Sequence, residues 1–322
     1  MHQDQSPFAI NQFVIERSEI VAVSIYLTRP IQIQEFQTAG YLKLGVTDSV
    51  LSSIRRIFDL TPHFFRRSQH EKIGDAIAEL NEGWRDFGGE FSIGPERPDL
   101  HESFWVTPRY EKLVRSKYSP LGLTLYREMR SYISMLSNIE RTVTKELLEF
   151  VTGNTNVEPG FSCERDSDLQ ALYYQPCLHD RECLQEPHDD SLYMTFLKAN
   201  RPGLELQSDN GSYVGVELCD DELIVMPGEI LALLTGYKIK PQIHRVARHS
   251  DQIERLALGY FAYPNIEPNS FLDAWITNET NDGVNIMHRV IRNQAQFLID
   301  ASRNVDHAGS HFAGDIDHDQ SA

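Results

Sequence analysis

EPHDDSLYMTFLKA, residues 186–199, carries the reading of the fold. A histidine and two aspartates stand at the mouth of an apolar run. Successive side chains on a strand point to opposite faces, so a strand through His188 and Asp190 sets an imidazole and a carboxylate side by side. The same residues also describe an acidic turn ahead of a buried strand. His-x-Asp occurs three times, as His2/Asp4, His188/Asp190 and His249/Asp251, so the triplet alone decides nothing.

The rest of the chain narrows the field. Its 322 residues are enough for a sizeable core, and 41% hydrophobic with 24% charged residues is an ordinary globular balance. With 30 basic against 47 acidic side chains the formal charge is −17, which disfavours nucleic acid and anionic membranes as partners. Cys163, Cys177, Cys183 and Cys219 show no Cys-x-x-Cys spacing and read as free thiols of a reducing, cytoplasmic compartment. The start lacks the basic and apolar regions of a signal peptide, and no apolar run approaches the roughly 20 residues of a membrane span.

Periodicity places helices first and strands later. FQTAGYLKLG (36–45) reads as a strand, and residues 46–62 as a helix with Thr47 or Asp48 at its N-cap, Leu51, Ile54 and Phe58 on one face, and Pro62 ending it. Tyr110 to Val151 is the longest helical pattern, broken near Ser119-Pro120, and its stripe from Met129 to Val151 reads as core. After Gly160 come eight strand-like runs: 171–174, 191–197, 203–207, 213–218, 222–226, EILALLTG (229–236), 242–249 and 255–263. Eight short strands between turn signals predict a mainly β sandwich or jelly roll with flanking helices. The expected organisation is one catalytic domain over 1–305. It comprises a helix-rich part to 160, a jelly-roll core with a metal site over 161–265 and a helix over 283–305, ahead of a disordered tail at 306–322.

A metal site needs a third ligand. Two histidines and a carboxylate suit non-heme Fe(II), because three protein ligands leave positions open for substrate and O₂. Two His-Arg-Val triplets offer the second histidine. His244 stands between two strand-like runs, at the rim of a jelly roll, whereas His288 sits among apolar neighbours in an amphipathic helix. We take His244 as the ligand and His288 as structural.

With these residues in hand, Ala171 to Tyr263 resembles the Fe(II)/2-oxoglutarate-dependent dioxygenases, in the branch that holds isopenicillin N synthase and the plant flavonoid and gibberellin oxygenases. HDDSLYMTFL is similar to that branch's His-x-Asp and following strand, and MPGEILALLTGYKIKPQIHRV to its block ending in His-Arg-Val, with Glu229 where aspartate is usual. FQTAGYLKLG and DLHESF (99–104) resemble further recurrent blocks. The resemblance implies a distorted double-stranded β-helix, with His188, Asp190 and His244 as iron ligands, 2-oxoglutarate as co-substrate and O₂ as oxidant. It also implies that Arg255, eleven residues beyond His244, binds the remote carboxylate of 2-oxoglutarate through a bidentate contact that lysine does not reproduce.

Two departures from the family stand near that carboxylate. Ala257 replaces the serine of Arg-x-Ser, and Gln175 replaces the tyrosine that precedes the proline. An iron oxidase or cyclase that works without 2-oxoglutarate, as isopenicillin N synthase and aminocyclopropane-carboxylate oxidase do, is therefore the alternative. Asp190 argues against halogenation, where this carboxylate gives way to a small residue, and for hydroxylation, desaturation or ring closure. The expected substrate is a small metabolite of specialised, natural-product metabolism, amino-acid-derived if Arg85 or Arg97 anchors a carboxylate. Trp84, Phe87, Phe91, Phe104, Tyr173 and Tyr193 are the candidate pocket wall. Nothing in the sequence fixes an oligomeric state.

Overall fold

The computed structural model describes residues 25–153, 164–176, 181–248 and 254–263. The expected 283–305 helix with His288, the tail, Cys163, Cys177 and the two other His-x-Asp triplets lie outside them. Cys183 and Cys219 are free thiols.

Leu42–Gly45 forms β1, and Asp48–Phe65 forms helix α1. Thr47 occupies the N-cap position, its hydroxyl turned to the Ile25 carbonyl and Ser49. Pro62 does not end this helix, as the sequence suggested; a further turn follows it because Phe64 and Phe65 are buried in the core. The run from Phe36 is also not a single strand. Gly40, at φ +81°, separates a helical turn at Glu35–Thr38 from β1.

Two short strands, β2 (Ala76–Ile77) and β3 (Glu82–Arg85), lead to β4 (Glu102–Val106). Helix α2 then runs over Pro120–Thr152. Ser119 caps it by accepting from the Gly122 amide at 3.1 Å, Pro120 stands in the first turn, and Gly153 ends it at φ 69°. Met129, Ile133, Leu136, Val143 and Leu147 are all buried, as a core stripe requires.

Eight strands follow: β5 (Asp168–Tyr174), β6 (Cys183–His188), β7 (Met194–Ala199), β8 (Leu204–Gln207), β9 (Tyr213–Gly215), β10 (Glu222–Pro227), β11 (His244–Ala247) and β12 (Arg255–Ala262). Together with β1 to β4 they form two antiparallel sheets, an 8-stranded one ordered β1-β10-β7-β12-β5-β4-β3-β2 and a 4-stranded one ordered β6-β11-β8-β9. This is the jelly roll that the strand count predicts, with one substitution in the count. EILALLTG is not a strand; Glu229–Leu234 is a helix, α3. A continuous apolar run carries no period that separates a buried helix from a buried strand. The strand missing from the expectation is β6, whose CLQEPH contains a charge and a proline. It is an edge strand, where a proline without a ladder hydrogen bond is tolerated.

Alternation along the strands divides the core. Leu169, Ala171, Tyr173, Phe196, Leu256, Leu258 and Tyr260 face α1 and α2 in the larger cluster. Leu172, Tyr174, Leu184, Val246 and Ala257 face inward between the sheets, as do Leu197, Leu204, Leu206, Ile224 and Met226. No described helix is long and apolar enough to cross a membrane.

Candidate metal centre

His188 ends β6 and His244 opens β11, and the two are direct cross-strand partners. Their side chains therefore share a face, with ring centroids 4.3 Å apart. Each ring is oriented in the same way. The Nδ1 of His188 lies 2.7 Å from the Glu186 carbonyl, and that of His244 lies 3.1 Å from the Gln242 carbonyl. Donation from Nδ1 leaves the Nε2 lone pair of each ring as the free donor to a metal.

Asp190 completes the set from the loop after β6, so the His-x-Asp pair does not lie on a single strand. Its Oδ1 is 3.9 Å from His188 Nε2 and its Oδ2 is 3.9 Å from His244 Nε2. The three donor atoms lie within 4.8 Å of one another. One divalent ion with ligands at about 2.1 Å fits among donors spaced this way. Burial, aided by the neighbouring His244, holds His188 below its ordinary pKa against the pull of Asp190, which keeps its ring neutral and able to ligate. Asp189 is exposed.

The loop carrying Asp190 is fixed from two sides. Thr195, on β7, donates its hydroxyl to Asp190 Oδ2. The first amides of α3 donate to the same loop, Glu229 to the Asp190 carbonyl at 2.9 Å and Ile230 to the Leu192 carbonyl at 3.1 Å. Helix N-terminal amides have no partner within the helix, so this contact satisfies them. A Cβ on Gly228 would stand 2.1 Å from the Leu192 carbonyl oxygen, so only glycine permits this approach. The MPGEIL segment thus acts as a clamp on the metal loop.

Arg255 opens β12 opposite Tyr174, is 3% exposed, and holds its guanidinium 4.9 Å above the Tyr174 ring. Its Nε donates to the Pro202 carbonyl at 3.2 Å, while Nη1 and Nη2 are buried with no hydrogen-bond partner among the described residues. Burial lowers its pKa, and among the described residues the counter-effect comes from Tyr174 and from no carboxylate. Two parallel, unsatisfied N–H groups on a buried cation fit a bound carboxylate. Ala199 pairs with Ala257, and Leu197 with Gly259, so small side chains floor the sheet beyond Arg255. Gln175 follows β5 directly and is half-buried.

Residues 165–264 match the family model of the 2OG-Fe(II) oxygenase superfamily. This segment belongs to that superfamily. The homologues found for this chain are Fe(II)/2-oxoglutarate-dependent dioxygenases, oxidoreductases that use Fe(II), 2-oxoglutarate and O₂. Gibberellin 2-beta-dioxygenase 7 of Arabidopsis thaliana is 22% identical over 198 residues, which is 61% of this chain and 57% of that protein. Gibberellin 3-beta-dioxygenase 3 of the same plant is 33% identical over 82 residues, 24% of this chain and 23% of that one. The chain thus matches less than two thirds of the length of either. Among solved structures, a full-length Neurospora crassa protein in complex with alpha-KG superposes with a TM-score of 0.66 at 21% identity, covering 82% of this chain and 88% of that one. The dioxygenase for auxin oxidation 1 of Arabidopsis thaliana, bound to 2-oxoglutarate, gives 0.58 at 17%, covering 73% and 89%.

In the oxygenase segment and the strands beside it, the expected pocket residues divide between the two faces of the large sheet. Phe104 packs edge-on to Phe64 within the helix-side core. Tyr193 is buried there too, its hydroxyl 3.3 Å from Thr144 of α2. Tyr173 stacks on Phe65 and donates to Glu254, again on the helix side. Trp84 donates to Glu102, which also pairs with Lys72. None of these side chains faces the space between the sheets. Phe91 is 47% exposed, and Phe87 packs against the inter-sheet cluster. Arg97 pairs with Glu186 at 3.3 Å.

Arg85 does face inward. It lies 3.8 Å over the Trp105 ring and 3.4 Å from Glu90. Thr195 and Tyr174 were not singled out by sequence, nor were Asp99, His101 and Asp168. Their signal is the pairing register, which appears only once the strands are aligned.

Proposed function

We propose that this chain is a non-heme Fe(II)/2-oxoglutarate-dependent oxygenase acting on a small molecule, with His188, Asp190 and His244 holding the metal and Arg255 holding the far carboxylate of 2-oxoglutarate. The observation that carries this reading is the buried Arg255 guanidinium, whose Nη1 and Nη2 lack a partner among the described residues, in the same barrel as three converging metal donors. Iron and 2-oxoglutarate, when bound with O₂, supply the oxidant for a C–H bond and leave succinate and CO₂. The protein orients that chemistry. The two Nδ1 contacts aim the imidazoles, Thr195 and the α3 amides fix the carboxylate, and Arg255 sets the direction of the co-substrate. Gln175 and Ala257 are assigned to the surroundings of that carboxylate, where Ala257 contributes space and no hydrogen bond.

The names and bound molecules of the similar proteins refer to gibberellins, thymine and auxin, which supports a small organic substrate. Hydroxylation, desaturation and oxidative cyclisation are all open to such a site, in natural-product metabolism in the cytoplasm. The second reading, an Fe(II) oxidase independent of 2-oxoglutarate, is favoured by Ala257 and Gln175 alone. The test is succinate formation under air with Fe(II), ascorbate and 2-oxoglutarate. Iron-loaded protein that forms no succinate with any candidate substrate would overturn the leading reading in favour of the second.

A further inference from the structure

The two inward-facing arginines are in opposite electrostatic states, and the difference bears on the substrate. Among the described residues, no carboxylate offsets the effect of burial on Arg255. Arg85 has Glu90 at 3.4 Å and senses Asp168 and Glu82 as well. Burial opposes ionisation of Glu90, yet Arg85, His101 and hydrogen bonds from Ser103 and Trp105 outweigh it and hold its carboxyl below the usual range. The positive charge of Arg85 is thus already compensated inside the protein.

Around this pair stand polar atoms with nothing to bond. His101, Ser103 and Trp105 alternate onto the inward face as β4 begins, with Asp99 just ahead of them. Asp99 and His101 are 3% and 2% exposed, and Asp99 Oδ1, His101 Nδ1 and Arg85 Nη2 are buried without a hydrogen-bond partner among the described residues. Asp99 Oδ2 is taken by Ser92 at 2.8 Å, so its other oxygen is the free one. Asp99 lies within the electrostatic reach of His188, and the His101 ring is 5.1 Å from Tyr174, the ring beneath Arg255. The cluster therefore borders both the metal donors and the co-substrate arginine. It offers one free donor, one free acceptor and one imidazole nitrogen able to do either. Buried groups of this kind are usually paired, with protein, ordered water or a ligand, so each of these three atoms calls for a partner.

We propose, on the footing of the oxygenase reading above, that Arg85, Asp99 and His101 are a substrate-recognition wall for a neutral group carrying a carbonyl beside an N–H, of the amide, lactam or ureide class, and that this wall turns carboxylates away. A carbonyl accepts from Arg85 Nη2 while the adjacent N–H donates to Asp99 Oδ1. A carboxylate has no hydrogen for Asp99 and adds negative charge beside the ionised Glu90. This assignment moves the substrate away from the carboxylate anchor first expected of Arg85. A site built around a donor and an acceptor rejects the analogue that lacks one of them, because its own polar groups are then left unpaired.

The test is calorimetry on the full chain loaded with Fe(II) and 2-oxoglutarate under nitrogen, with matched probes: benzamide against benzoate and nicotinamide against nicotinate. The amide of each pair should bind at least about tenfold more tightly than the acid, the scale of one well-made hydrogen bond. Asp99→Asn keeps the Ser92 contact and exchanges the free acceptor for a donor, so it should cut that preference at least about tenfold. Arg85→Met should weaken the amides without favouring the acids. Binding of 2-oxoglutarate, titrated separately in each protein, should be the same in all three. Acids binding as well as amides, no probe binding, or an unchanged preference in Asp99→Asn would overturn the proposal. Loss of 2-oxoglutarate binding in the wild-type protein would instead overturn the oxygenase reading, while a surviving amide preference would keep the wall.

Discussion

The Thr195 hydroxyl donates to Asp190 Oδ2 across the turn that separates β6 from β7. One carboxylate oxygen is thereby fixed by the strand that follows, and the loop carbonyl of the same aspartate is fixed by the Glu229 amide. Asp190 is thus held at both its backbone and its side chain. Thr195→Val preserves shape and removes the donor. Metal affinity should fall about 10- to 100-fold, the usual cost of losing a group that orients a ligand. Titration of metal-free protein with Fe(II) or Mn(II) measures it, and an unchanged affinity would mean that the hydroxyl does not position Asp190.

The two His-Arg-Val triplets make opposite predictions. His244 is buried, is the cross-strand partner of His188 and points its Nε2 toward Asp190. His244→Ala should abolish stoichiometric iron binding, and His288→Ala should leave it intact. Iron content after anaerobic loading and desalting decides the matter. The reverse pattern would transfer the ligand role to His288.

Much of this site is legible in the chain because its ligands sit in local motifs, and much is not because the fold is made by pairing. His188, Asp190 and His244 stand out as candidates by spacing and neighbouring apolar runs, whereas Arg255 is picked out by the family resemblance. Strand β6 does not stand out, since Pro187 and Glu186 erase its pattern and its place at a sheet edge tolerates them. EILALLTG is misread because burial on all sides removes the period on which the distinction depends. The face of an aromatic residue is equally hidden. Tyr173 and Tyr174 are adjacent, yet one stacks on Phe65 outside the barrel and the other lies beneath Arg255 within it. A one-residue change of register exchanges these roles.

Arg255 gives a prediction with two signs. A buried cation without a counter-charge costs stability until an anion arrives. Arg255→Met should therefore raise the melting temperature of the unliganded protein while weakening 2-oxoglutarate binding by about 100-fold or more, because two charge-assisted hydrogen bonds are lost together. Thermal denaturation with and without 2-oxoglutarate reads both effects. If ligand stabilises wild type and variant equally, Arg255 is not the carboxylate site.

Asp168 supplies the pH dependence. Burial pushes its carboxyl up to about 7; Gln170 and Arg85 oppose this, while Glu90 and Asp190 add to it. Glu82 and Tyr263 are further titratable groups within its reach. The folded protein therefore holds this proton in a range where the unfolded chain, with an ordinary carboxyl near about 4, has released it. Between about pH 4 and pH 7 the native state binds more protons than the unfolded one, so this group's contribution to stability falls as pH rises. Each tenfold displacement corresponds to about 1.4 kcal/mol, and the loss is complete once pH passes the folded value. Asp168→Asn keeps the shape and removes the titration. Denaturant unfolding of metal-free protein across this range should show the variant gaining on the wild type as pH rises, with the difference levelling off above about pH 7. The difference between the two curves isolates Asp168 from His188, whose lowered pKa acts with the opposite sign. A flat difference would mean that Asp168 is ionised throughout and that the inward face carries one more negative charge at neutral pH.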